Sequence, residues 1–252
     1  MMQGLYAGAA SLQAFEERQD ALAANLANIS TPGYRQRVEV MSSMEMKGRN
    51  GRGQRGARGI HAPRFNMAVD FRPGEINQTG GDFDVALMSI DPKDGNAFLA
   101  VGTDQGEQYT RNGRLSLDGQ GNLVHASTGF KVLSPGGSSI TLNSEGGPPI
   151  IDNRGNISQD GITVGQLKVV GFGDLLDLEP ANEGLYTAGM LNPVESAIGR
   201  VEVLQGYLES SNAGAVDELV EMVTNFRSYE AAQRVIRQMD ESMQRLIRQT
   251  AP

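Results

Sequence analysis

Leu5-Tyr6-Ala7-Gly8-Ala9-Ala10-Ser11-Leu12-Gln13-Ala14-Phe15-Glu16-Glu17-Arg18-Gln19-Asp20-Ala21-Leu22-Ala23-Ala24-Asn25-Leu26-Ala27-Asn28-Ile29 decides how this chain folds. Counted in sevens, the a positions are Leu5, Leu12, Gln19 and Leu26, and the d positions Gly8, Phe15, Leu22 and Ile29. Six of these eight are large and apolar, while Glu16, Glu17, Arg18, Asp20 and Asn25 lie off the seam. The pattern predicts an amphipathic helix of about 25 residues, roughly 38 Å long at 1.5 Å per residue. It stops at Ser30-Thr31-Pro32-Gly33, because Pro32 restricts Thr31 and Gly33 favours a turn.

The other end of the chain has the same spacing. Leu219, Met222, Phe226, Tyr229, Gln233, Ile236, Asp240, Met243 and Ile247 alternate as a and d, and seven of the nine are apolar. Ser211 and Asn212 offer cap chemistry, Asp217 and Glu218 suit the positive end of the helix dipole, and Arg245 and Arg248 the negative end. Neither helix is stable alone behind so narrow a stripe. Each needs the other, or a copy from a neighbouring molecule, and the periodicity allows both a helical hairpin and an assembly surface.

Between the helices the punctuation changes to short strands and turns. Ala97–Val101, Gln108–Arg111, Leu115–Leu117, Leu123–His125, Phe130–Leu133, Ser139–Leu142, Ile162–Val164 and Leu167–Phe172 are strand candidates. Asn112-Gly113 and Asp118-Gly119-Gln120-Gly121-Asn122 mark turns between them, so an antiparallel β domain is expected over 80–190. The fold class is α+β, with terminal helices pairing as a coiled-coil-like bundle around an all-β centre. The expected divisions are a helical part at 1–34 plus 212–252, an extended connector at 35–79 plus 191–211, and the β domain.

The connector holds Lys47-Gly48-Arg49-Asn50-Gly51-Arg52-Gly53-Gln54-Arg55-Gly56-Ala57-Arg58-Gly59, five cations and five glycines with no anion. Such a segment has no apolar face and loses much backbone entropy on ordering, so a connecting loop is expected. The alternative is a contact of Arg49, Arg52, Arg55 and Arg58 to an anionic partner, either a polyanion such as RNA or an acidic neighbouring subunit. Net charge is −8 including these five cations, so the remainder carries −13, which argues against wholesale nucleic-acid binding.

No catalytic constellation emerges. The chain has no cysteine, which excludes a thiol nucleophile, a disulfide framework and a cysteine zinc site. The two histidines, His61 and His125, lie in different segments without metal-ligand spacing. Asp82, Asp84, Asp91 and Asp94 fit no calcium loop, and Gly171-Phe172-Gly173 lacks the third glycine of a dinucleotide loop. A carbohydrate-active enzyme on the β domain ranks last for want of a site. No cofactor and no metal is expected, and no apolar run reaches the length of a membrane span. Met1–Ala10 carries no Lys or Arg, so no secretory signal is expected.

Leu22-Ala23-Ala24-Asn25-Leu26-Ala27-Asn28-Ile29-Ser30-Thr31-Pro32-Gly33-Tyr34 resembles the A-N-N-L-A-N-x-x-T-x-G-[FY] signature of the flagellar rod and hook family, with Ala24 in place of the first Asn. Met2-Gln3-Gly4-Leu5-Tyr6, Asp84-Val85-Ala86-Leu87, Tyr109-Thr110-Arg111-Asn112-Gly113, and Leu117-Asp118 with Gly121-Asn122-Leu123-Val124 resemble further family segments in the same order. So do Gly206-Tyr207-Leu208-Glu209-Ser210-Ser211-Asn212, then Glu218-Leu219-Val220 with Met222, and Arg227 with Tyr229-Glu230. Ser89–Asn96 and the arginine-glycine segment depart from the pattern. Length fits the F-type proximal or the G-type distal rod subunit, and the opening residues and Thr31-Pro32-Gly33-Tyr34 look more like the F-type.

The resemblance implies a non-enzymatic subunit of the basal-body rod, exported by the flagellar type III apparatus without cleavage into the periplasm. Its partners would be other copies, related rod and hook subunits and the export apparatus, with no nucleic acid and no membrane insertion. Torque would pass through a stiff tube of packed terminal helices. Leu5, Leu12, Phe15, Leu22, Asn25, Leu26, Asn28, Ile29, Leu219, Met222, Phe226, Tyr229, Ile236 and Met243 are then the candidate assembly residues.

Overall fold

The computed structural model describes residues 2–42, 64–89, 97–172, 175, 178–181, 184–189, 194–195 and 201–250, with backbone alone at 2–7, 41–42, 64–66, 194–195, 243 and 246–250. The chain divides into two units: 1–27, 37–69 and 215–252 form the first, and 28–36 with 70–214 the second. Together they are α+β, with a helix near each end and antiparallel sheets between.

In the first unit, α1 (Met2–Ala27) and α2 (Ala215–Thr250) pack on one another. Strands β1 (Arg37–Ser42) and β2 (Arg64–Val69) pair antiparallel from Arg37↔Val69 to Ser42↔Arg64 and pack against α1. Asn25 links helix and strand: its Nδ2 donates to Arg37 O at 2.9 Å, and its Oδ1 accepts from Arg37 N at 2.8 Å. One side-chain amide therefore satisfies both backbone groups of the strand's first residue.

The second unit is built on β5 (Ala97–Thr103), whose first five residues are all buried. A continuous apolar run of this length has no polar side to offer water, so it lies inside a sheet. β6 (Gly106–Thr110) pairs along one edge of β5, with β9 (Lys131–Val132) and β13 (Val169–Gly171) along the other. β7 (Leu115–Leu117), β8 (Leu123–His125), β14 (Leu178–Pro180), β15 (Leu185–Ala188) and β16 (Val194–Glu195) extend this sheet. A smaller sheet orders β10 (Ile150–Ile151), β11 (Asn156–Gln159) and β12 (Ile162–Gln166). β3 (Ile76–Gln78) pairs with β18 (Tyr207–Glu209), and β4 (Val85–Ser89) with β17 (Val201–Gln205).

The segments expected as an extended connector supply β1 to β3 and β16 to β18. Conversely, Ser139–Leu142 forms only isolated bridges, Leu133↔Ser139 and Asn122↔Thr141. The core gathers Val85, Leu87, Leu99, Val101, Leu123, Val132, Ile140 and Ile157. An aromatic group of Phe71, Phe98, Tyr109, Phe172 and Tyr186 meets mostly edge to face, with centroids 5.0–6.0 Å apart.

One five-residue loop occurs twice, as Asp118-Gly119-Gln120-Gly121-Asn122 and as Asp152-Asn153-Arg154-Gly155-Asn156. In each, the aspartate Oδ1 accepts the backbone N–H of the third and fifth residues at 2.8–2.9 Å, and its Oδ2 accepts the asparagine Nδ2 at 2.8 Å. Gly121 and Gly155 take φ of +79° and +76°, which a side chain would strain. Both aspartates lie below the usual carboxylate range: for Asp118 the Asn122 side chain is the main cause, and for Asp152 burial pushes upward but is outweighed by the bonds from Asn156 and Arg154 together.

Candidate assembly surface

The two helices run antiparallel, as their cross-links show. Asn25 Nδ2 donates to Glu218 Oε1 at 3.1 Å near one end. Arg18 pairs with Glu221 at 3.3 Å and with Glu39 of β1 at 3.1 Å. Asn225 Nδ2 donates to Phe15 O at 3.0 Å and Gln19 Oε1 at 2.8 Å, and Tyr229 OH to Glu16 Oε1 at 3.3 Å. Further along, a Cβ on Gly8 would come within 2.9 Å of Ile236 Cγ1, so glycine lets Ile236 seat closely.

At about 100° per residue, Glu218, Met222, Asn225, Tyr229 and Ile236 share one side of α2, facing α1. Glu218 and Asn225 are buried, and Met222, Tyr229 and Ile236 half-buried. The d positions Met222, Tyr229 and Ile236 therefore point at α1, while the a positions Leu219 and Phe226 fall outside the pairing face. Leu219 is 48% and Phe226 55% exposed, beside Val216 at 73%, Val220 at 61% and Val223 at 53%. These five form a stripe at i, i+3, i+4, i+7 and i+10, roughly 140° around the helix from the paired side.

On α1, Leu22 and Asn25 are buried, and Leu12, Phe15 and Leu26 half-buried. Asn28 and Ile29 lie beyond the helix, in the turn where Thr31 Oγ1 donates to Asn28 Oδ1 at 3.2 Å. The side chains of Leu5 and Met243 fall outside the described residues, as do Arg49, Arg52, Arg55, Arg58 and His61 entirely.

The paired face is not purely apolar. Glu218 Oε2 and Asn225 Oδ1 are buried without hydrogen-bond partners among the described residues. Burial raises the Glu218 pKa, the Asn25 hydrogen bond opposes that, and Glu221 and Asp217 add to it. Such groups cost stability while restricting which alignment of the helices is acceptable.

In the second unit, charge is buried at Arg35, Arg111 and Glu209, to which the sequence patterns assigned no role. Glu209 Oε1 meets Arg35 Nη2 at 2.6 Å and accepts Gly74 N at 2.8 Å, and its Oε2 accepts Arg111 Nε at 2.6 Å. Arg111 also donates Nη2 to Leu87 O at 2.7 Å and Nη1 to Ala97 O. Burial pushes Glu209 upward, but the Arg111 and Arg35 guanidiniums outweigh it and hold the carboxyl below its ordinary value. Burial, with Arg35 nearby, lowers Arg111 against the pull of Glu209. Two cations on one carboxylate leave a surplus, and among the described residues Arg35 Nε and Nη1 have no hydrogen-bond partner.

Gly33 closes over this node: its N–H donates to Glu209 O at 2.7 Å, its φ is +67°, and any Cβ would strike the Arg111 backbone. Asn212, expected near a helix cap, instead accepts Gln36 N on Oδ1 at 2.7 Å and donates Nδ2 to Asp70 O and Arg72 O at 2.9 and 3.0 Å. Gly33, Arg111, and Glu209 with Asn212 lie in the Leu22–Tyr34, Tyr109–Gly113 and Gly206–Asn212 segments that carry the family resemblance, which was the sequence signal for them. Among the described residues, no group of three His, Cys, Asp or Glu could hold a metal ion, and no helix is long and apolar enough to cross a membrane.

Comparison with known proteins matches three family models along the chain. Residues 5–35 match the flagella basal body rod protein, 94–164 the flagellar hook protein FlgE/F/G D1 domain, and 204–249 the flagellar basal body rod FlgEFG protein C-terminal. The flagellar basal-body rod protein FlgF of Caulobacter vibrioides is 29% identical over 240 residues, covering 94% of this chain and 93% of its own. FlgG of Bacillus subtilis is 26% identical over 271 residues, covering 98% of each. FlgF of Escherichia coli is 29% identical over 242 residues, covering 89% of each.

Proposed function

Because the chain belongs to the flagellar basal-body rod protein family, we propose that it is a structural subunit of the bacterial flagellar basal-body rod and polymerises through its terminal helices. It is a structural protein, not an enzyme. The observation that carries the assembly mode is the stripe Val216, Leu219, Val220, Val223 and Phe226, five apolar side chains at least 48% exposed on the side of α2 away from α1. A contiguous apolar surface of this kind marks an interaction site. Its burial against helices of other copies or of related rod and hook subunits gives repeated heterologous contacts, which generate an open helical array. Interdigitated side chains in such contacts resist shear, so the array transmits torque. The subunit reaches the periplasmic rod through the flagellar export apparatus.

Phe226→Asp tests this directly. The side chain lies outside the α1–α2 interface, so the variant folds and its β unit keeps its stability. It is expected not to enter the rod, read as absence from purified basal bodies and loss of motility. Normal incorporation would show that the stripe is not the assembly surface.

A further inference from the structure

The three-stranded sheet of β10, β11 and β12 treats its two edges differently. At β10, Gln205 covers the edge as a substitute strand: its Oε1 accepts Ile151 N at 3.0 Å and its Nε2 donates to Pro149 O at 2.8 Å. At the far edge, β12 pairs with β11 and, among the described residues, with no other strand. Ile162-Thr163-Val164-Gly165-Gln166 contains no charge and no proline, the usual guards of a free edge. Its one irregularity is the bulge that sets Val164 against the Ile157–Ser158 step. Ile162 is 70% and Val164 40% exposed, Thr163 is exposed, and Ile150 on β10 is 66% exposed. Ile162 shares the face of its partner Gln159, and Thr163 that of Ser158 and Ile150, so apolar surface flanks the edge on both faces.

We propose that the β12 edge is a lateral contact surface, and that its occupant is a second copy of this chain already held alongside by helix assembly. The size of the patch selects that occupant. One five-residue edge and three aliphatic side chains expose on the order of a few hundred Å², well short of the roughly 800 Å² per partner of a stable free interface. A partner drawn from solution would not stay. A copy fixed nearby by another interface is at an effective concentration near the millimolar range, where a weak contact closes. The uncharged edge also imposes no like-charge penalty between copies of a chain that carries −8 overall. The proposal rests on the helix-driven assembly above.

The test places photo-reactive benzoylphenylalanine at Thr163, or at exposed Gln120 as a control, in the full chain within cells that build the appendage. Irradiation is expected to give a product of twice the chain's mass from position 163, at least tenfold above position 120. Combining position 163 with Phe226→Asp is expected to remove it. Normal appendages without the product, equal products from both positions, or a product with a different protein would each overturn the β12 proposal and leave helix assembly standing. A twofold-mass product that survives while Phe226→Asp blocks assembly would show a self-sufficient dimer and overturn the choice of occupant. Appendages built by the Phe226→Asp chain would instead overturn the stripe, and a cross-link at 163 between those copies would still support the β12 contact.

Discussion

Replacing Glu209 by Gln removes one charge and keeps the shape, which isolates the electrostatics of the buried node. In the native chain the carboxylate takes two guanidiniums at 2.6 Å and one backbone N–H at 2.8 Å, and its side chain is 1% exposed. The variant leaves Arg35 and Arg111 as two buried cations with no countercharge. Breaking a buried ion pair by removing one partner costs about 3–5 kcal/mol. With a urea m-value near 2 kcal/mol/M, the midpoint should fall by about 1.5–2.5 M. The chain has no tryptophan, so near-UV circular dichroism of the tyrosines reports unfolding, with Tyr109 and Tyr186 packed in the β unit. Arg35→Met should cost less than Arg111→Met, because Arg35 leaves two donors unpaired where Arg111 binds two carbonyls as well as Glu209. A Glu209→Gln midpoint within about 0.5 M of wild type, or the reverse arginine ranking, would refute this account. The pH dependence has a definite sign. The folded carboxyl titrates below its ordinary 4.5, so its stabilisation is present above 4.5 and lost as pH falls through the folded value. Glu209→Gln should lack that loss.

Three further outcomes follow from buried groups and backbone. His125 has Nδ1 on Thr128 Oγ1 at 2.9 Å and a buried Nε2 without a partner among the described residues, and burial pushes it down from 6.5 to about 4. The unfolded chain therefore binds the proton first, and stability of the β unit should fall as pH drops from 6.5 towards 4; His125→Asn should flatten that part of a urea-midpoint series. Glu218 has a raised pKa, so its contribution to helix pairing is present below 4.5 and lost as pH rises through its folded value. Glu218→Gln should slow hydrogen exchange of α2 amides near residue 218 at neutral pH, and unchanged exchange would show that the carboxylate is not strained there. Gly33→Ala should cost at least 1–3 kcal/mol through its left-handed backbone and the collision with Arg111, measured as a lowered urea midpoint.

Periodicity made both helices and the main antiparallel sheet legible, because apolar spacing reports directly which residues must leave water. α1 ends at Ala27 and its chain turns at the anticipated Ser30–Gly33. The rotation of α2 was less legible. A seven-residue count spread one seam across Leu219, Met222, Phe226 and Tyr229, whereas the helix turns Asn225 and Glu218 towards α1 and leaves Leu219 and Phe226 in solvent. Polar residues at a packed position read as surface in any hydrophobicity pattern. The same blindness hid Arg35, Arg111 and Glu209, whose burial depends on partners 98 residues apart in the chain for Arg111 and Glu209. β1 and β2 escaped because each depends on the other, a partner distant in the chain.

The twin loops at Asp118–Asn122 and Asp152–Asn156 separate shape from content. Aspartate, glycine and asparagine at the first, fourth and fifth places specify the bend, while the bond the two copies share at the third place comes from its amide nitrogen. Gly119-Gln120 in one copy and Asn153-Arg154 in the other show that dissimilar side chains ride on the same frame. The second and third places are thus free to diverge under selection by whatever lies opposite, without any rewriting of the hairpin beneath them.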